Sequence, residues 1–287
     1  MSHILLQACP CSFQPGGNDG LISPQVDAVT TENPQFFFGV GNVAFEFPFL
    51  NTEREFFQTA SEESLQRKPM EQMYYDVLSQ TRNLYLAREL CWKFQFVRGV
   101  DSLVLQPATD TELVRLIAAL DPDLYAKTDV FFSVIVGQRM GLSKPELCNG
   151  LELPLIYTER VMSISFAHMK NYLVTKMQIS DDEAADLLVQ LTKLTNNTGE
   201  TDNYRAINYL VFNYLSLYEI TYGNGRLGFT LSRVITQESK LRGKDKYLDV
   251  IFEYQNGSSL KKFICTVDVS GSVPFVQRPL TEYVELW

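Results

Sequence analysis

The segment from Leu248 to Val269 leaves the chain little conformational choice. Leu248, Val250, Phe252 and Tyr254 recur at every second position, Asn256-Gly257 supplies the positive φ angles of a tight turn, and Phe263, Cys265, Val267 and Val269 alternate on the way back. This pattern predicts a C-terminal β-hairpin. Leu227, Phe229, Leu231 and Ile235 mark a third strand beside it, and Trp92 to Val97, Ser102 to Leu105, Val130 to Val136 and Leu153 to Ile164 read as strands in mid-chain.

Helices announce themselves between these strands. Thr52 with Glu55, Thr109 with Glu112, and Ser180 with Glu183 have the spacing of capping boxes. Behind the second, Leu113, Leu116, Ile117 and Leu120 keep a helical period; behind the third, Ala184, Leu187, Leu188, Leu191 and Leu194 do the same. Pro69 suits the first turn of a helix through Met73, Tyr74, Val77 and Leu78, and Ile207, Leu210, Val211, Tyr214 and Tyr218 predict a further helix that stops at Gly223. Helices and strands mix without strict alternation, which points to an α+β fold: mixed helices packed on a largely antiparallel sheet. Ser12 to Gln35 hold six Pro and Gly residues with little apolar period. The expected organisation is an irregular arm over residues 1–35 and a single composite α+β domain over 36–287.

Composition limits the function. At 287 residues and 45% hydrophobic content the chain can bury a full core without staples. A net charge of -9 argues against nucleic acid as main partner, and the longest apolar run, Val130 to Val136, falls far short of a membrane span. Five cysteines form no regular disulfide framework, which points to a reducing cytoplasm. Only two histidines exist, His3 and His168, so hydrolysis by a His-activated nucleophile would rest on His168 alone, and a solvated or hydrogen-bonded His168 is the plainer reading.

Two glycine patterns, Gly39-Val40-Gly41 and Gly223-Asn224-Gly225, imitate dinucleotide fingerprints. Neither follows a strand and opens a helix, as the pyrophosphate mechanism requires, so turns and glycine-tolerant strands explain them. Arg233, Lys240, Arg242, Lys244 and Lys246 make a positive loop that could take an acidic peptide or phosphate, although a solvated connection is the commoner meaning. Tyr204, Tyr209, Tyr214, Tyr218 and Tyr222 exceed what one buried stripe needs and leave a self-association or peptide-contacting surface open. Cys9-Pro10-Cys11 can put two thiolates on one zinc, with Cys91 and Cys148 as the remaining pair; the competing reading makes Cys91 and Cys148 small core residues.

Several segments carry a family resemblance in combination. Tyr85-Leu86-Ala87-Arg88-Glu89-Leu90-Cys91-Trp92, Val104-Leu105-Gln106-Pro107, Pro145 to Leu151, Thr198 to Leu210, Leu241-Arg242-Gly243 and Asp249-Val250-Ile251-Phe252 resemble the C-terminal domain of unknown function of the cyanobactin maturation proteins PatA and PatG. The Cys9-x-Cys11 opening and Phe45-Glu46-Phe47-Pro48 also fit. The resemblance implies a setting among subtilisin-like proteases that cut or macrocyclise ribosomally made precursor peptides, but this chain carries neither a protease triad nor a flavin site. The resemblance assigns the domain no role of its own; the leading expectation is an accessory, non-catalytic domain that binds precursor peptide, partner enzymes or its own copy, with a tailoring enzyme and a structural stabiliser as rivals. Cys9, Cys11, Cys91 and Cys148 match the family's cysteines, which supports structural zinc. Asp202, Arg205 and Asn208, three residues apart on one helix side, form the expected binding cluster.

Overall fold

In a computed structural model, residues 35–62, 65–122, 131–241 and 245–283 are described. They divide into two compact units at residue 167/168. The expected arm therefore lies almost wholly outside the described residues.

The first unit contains β1 (Phe36–Glu46), α1 (Leu50–Glu62), α2 (Met70–Leu78), α3 (Leu84–Arg88), β2 (Cys91–Gln95), β3 (Leu103–Pro107), α4 (Asp110–Ala118), β4 (Phe131–Leu142) and β5 (Pro154–Ser165). The α+β class holds, but this sheet is not a simple antiparallel one. Its five strands close into a barrel in the order β1-β2-β3-β5-β4, and β3 runs parallel to β5 from Val104↔Leu155 to Pro107↔Thr158. Strand β1 serves two neighbours in succession: Phe36 to Gly41 pair with β4, then Asn42 to Glu46 pair with β2. The handover explains one glycine pattern. A Cβ on Gly41 would strike the Gln95 carbonyl oxygen, so the residue is small because strands approach there, and Gly39-Val40-Gly41 lies wholly inside β1.

Alternate residues of the barrel face the helices. Phe37, Val43, Trp92, Phe94, Leu105, Ile135 and Ile156 join Phe56, Met73, Val77, Leu86, Leu113 and Leu116 in one buried cluster. Each such side chain contributes roughly 1.5–3 kcal/mol on burial. Thr109 caps α4 by accepting the Glu112 amide, as its spacing predicts, but the Glu112 side chain does not complete the box. It is buried and accepts the backbone N–H of Val161 at 2.7 Å and the Arg115 guanidinium at 2.6 Å. Thr52 departs further: α1 begins at Leu50, and the Thr52 hydroxyl donates to Glu89 across 37 residues instead of capping.

The second unit runs through α5 (Phe166–Met177), α6 (Asp181–Thr192), α7 (Asp202–Asn213), α8 (Leu215–Arg226) and the strands β6 (Thr230–Glu238), β7 (Tyr247–Asn256), β8 (Ser259–Asp268) and β9 (Phe275–Glu282), which pair antiparallel in chain order. The hairpin is present as read, with Asn256 opposite Ser259 and Gly257 at φ +56°. Ser180 and Glu183 form a complete capping box at α6. The single helix expected up to Gly223 is instead two. Tyr214 is extended at φ -122° and ψ 95°, its hydroxyl oxygen accepts the Leu280 amide at 2.9 Å, and α8 continues through Gly223 to Arg226. The chain turns at Gly228, φ +78°, which takes the left-handed conformation that glycine allows.

Candidate functional site

A cleft of about 710 Å³ opens where β1 leaves the barrel. Its volume suits a small molecule or a few residues of peptide. Phe45, Phe47 and Tyr74 supply its apolar wall: Phe45 meets Tyr74 edge-on at 4.9 Å between ring centroids, and Phe47 lies 5.5 Å from Phe45 and 6.2 Å from Tyr74. The local sequence produces this arrangement. The alternation Val43-x-Phe45-x-Phe47 carries aromatic rings to the end of β1, and Pro69 starts α2 so that its second turn brings Tyr74 against them. Glu46, Glu71, Asn42, Gln95 and Arg98 add the polar lining.

The polar side is held by a buried cation. Lys93, on β2, donates to Glu46 at 2.9 Å and to Asp101 at 2.6 Å; Gln95 donates to the other Asp101 oxygen at 2.7 Å. Burial opposes the Lys93 charge, yet the Asp101 and Glu46 carboxylates outweigh it and hold the ammonium above its ordinary value. Asp101 answers in kind: burial works against its charge, but Lys93 and Gln95 pull it below the ordinary carboxylate value. Tyr74 is raised by burial and by the negative charges of Glu53 and Glu71. The arrangement can seat an apolar chain with polar groups along one rim.

The cluster expected from sequence lies in the other unit. Asp202 and Arg205 do meet, at 2.5 Å, but Arg205 is 1% exposed and turned inward. Its guanidinium donates to the carbonyl oxygens of Val269, Gly271 and Ser272, tying α7 to the loop after β8. Burial lowers its pKa, against the pull of Asp202. Asp202 also pairs with Lys246. Asn208 is fully buried and exchanges two amide hydrogen bonds with Asn197, at 2.8 and 3.0 Å. These are the bonds of a joint. The tyrosines are spent similarly: Tyr218 donates to the Val211 carbonyl, Tyr222 to Glu183, and Tyr209 is buried, while Tyr204 stays exposed. His168 is exposed on α5; Arg242 and Lys244 lie outside the described residues.

The PatG domain family matches residues 36–222, and the PatG C-terminal family matches residues 175–283. The chain belongs to the PatG domain family. A solved structure described as the PatG domain of unknown function shares 17% identity with it at a TM-score of 0.67, over 86% of this chain and 98% of that chain. At that identity the likeness speaks for the fold. No curated protein matches the chain.

In this PatG domain Cys91 and Cys148 are joined in a disulfide, both buried, beside Val104 and Leu155. A sulfur so bonded offers no thiolate, so zinc would require the reduced pair. Cys9 and Cys11 lie outside the described residues. Among the described residues no three His, Cys, Asp or Glu side chains converge as a metal site would, so the pair supplies two of four sulfurs at most. Cys265 is a buried thiol whose pKa burial, with Asp249, pushes up to about 12. No helix among the described residues is long and apolar enough to cross a membrane.

The cleft escaped the sequence reading because its walls come from residues as distant as Asn42 and Pro122. One signal was present: Phe45-Glu46-Phe47-Pro48 stood out as a family segment, without a role.

Proposed function

We propose that this chain is an accessory, non-catalytic domain in the biosynthesis of cyanobactin-type ribosomally made peptides, and that it holds the precursor peptide in the cleft between β1 and α2. The observation that carries the reading is the cleft itself: Phe45, Phe47 and Tyr74 line an open space of about 710 Å³, and the Lys93 bridge holds its lining carboxylate, Glu46. Membership in the PatG domain family supports a cyanobactin-related setting. Subtilisin-like maturation proteases are the further partners proposed. The acidic charge supports a peptide rather than a nucleic acid as ligand. A reducing cytoplasm is the compartment proposed; there Cys91 and Cys148 would be thiols, available with Cys9 and Cys11 to a structural zinc.

Purified protein mixed with the pathway's precursor peptide tests this. Binding without change of peptide mass is expected. A mass change would make the domain a tailoring enzyme, and absence of binding would leave it a stabiliser of the proteases.

A further inference from the structure

The charges around the cleft do not cancel. Lys93 is committed to Glu46 and Asp101 in one bridge, so it neutralises less than the two carboxylates it holds. Glu71 lines the cleft from the first turn of α2, is exposed, and has no hydrogen-bond or ion-pair partner among the described residues. Glu53, in the first turn of α1, acts with Glu71 on the Tyr74 hydroxyl. Against these stands Arg98, on the exposed turn between β2 and β3. The negative groups therefore prevail over the rings of Phe45, Phe47 and Tyr74, and aromatic faces beside carboxylates are the usual surroundings of an organic cation.

The rim adds a second constraint. Phe49, Leu50, Met70, Val97 and Val100 follow or flank lining residues in the chain, and all are 48–66% exposed. Large exposed side chains on the three segments that supply the lining leave apolar surface there for a partner to cover.

Resting on the peptide reading above, we infer that the cleft selects a peptide segment that carries a primary ammonium or guanidinium group between apolar residues. The cation lies over Tyr74 and against Glu71, and the apolar neighbours cover the rim. A charged group desolvated against an aromatic face gains more than one at an open surface, which gives selection for the cation beyond that from the apolar contacts.

A positional library of N-acetylated, C-amidated hexapeptides tests this by fluorescence polarisation. The blocked termini make a side chain the sole cation. Lys and Arg enrichment at one position, with apolar enrichment beside it, is expected. Replacing lysine by norleucine in the best binder then weakens binding about tenfold for the wild type, and Glu71→Gln removes most of that difference without loss of fold by circular dichroism. Apolar enrichment with lysine and norleucine equivalent would overturn cation selection and leave peptide docking standing. A library with no enrichment at any position would overturn docking itself.

Discussion

Lys93 reaches Glu46 across the β1–β2 pair, its Nζ 2.9 Å from Oε2, and the same nitrogen lies 2.6 Å from Asp101. One buried cation thus fixes a cleft-lining carboxylate and the turn between β2 and β3. Lys93→Met leaves both acids without it, at a cost of roughly 2 kcal/mol, below that of a fully buried pair because Glu46 keeps 32% side-chain exposure. Urea unfolding measures it. Because Asp101 is held below its ordinary 3.8, its contribution is present above that value and is lost as pH falls through the depressed one. The wild-type advantage over Lys93→Met accordingly shrinks in acid.

Glu112 titrates with the opposite sign. Burial outweighs the pull of Arg115 and of the Val161 amide and holds the carboxyl above its ordinary 4.5. The folded state then binds the proton more tightly, so the stabilisation is full below 4.5 and is lost as pH rises through the folded value. Glu112→Gln keeps an acceptor for Val161 and lacks this slope. Glu112→Ala leaves the amide bare and costs about 1–3 kcal/mol. Denaturant curves for the three proteins between pH 4 and 8 separate the two effects.

Arg205→Ala leaves three carbonyl oxygens without their donor and Asp202 with Lys246 alone, and about 3–5 kcal/mol of stability is lost. Arg205→Lys does not restore it, because an ammonium cannot reproduce the guanidinium fork. Limited proteolysis should cut first near Gly271 in both variants. A folded Arg205→Lys protein of wild-type stability would contradict this structural role for the guanidinium.

The disulfide closes a 57-residue separation, which constrains the unfolded chain by about 4 kcal/mol. In oxidised protein, Cys91 and Cys148 stay unreactive after denaturation without reductant, and Cys265 reacts only then. Five reactive thiols together with one equivalent of zinc by elemental analysis would instead establish the reduced, metal-bound state.

Local signals in the sequence reached local structure. Asn256-Gly257 placed the hairpin and Ser180-x-x-Glu183 placed α6, since each depends on residues within one turn. Barrel closure was not legible, because the β3–β5 pairing joins segments fifty residues apart and no composition rule sets its register. The spacing of Asp202 and Arg205 correctly brought them together, yet spacing is blind to direction, and Arg205 faces the loop at Val269 rather than solvent. Thr52 shows the same limit: a sound capping pattern was overridden by Glu89, a partner from the far end of α3.

Hydrogen–deuterium exchange of the protein with and without precursor peptide tests the central claim most directly. The account predicts protection confined to residues 42–47, 70–74 and the turn at 97–100. Protection centred on residues 202–208, with the cleft unchanged, would contradict it.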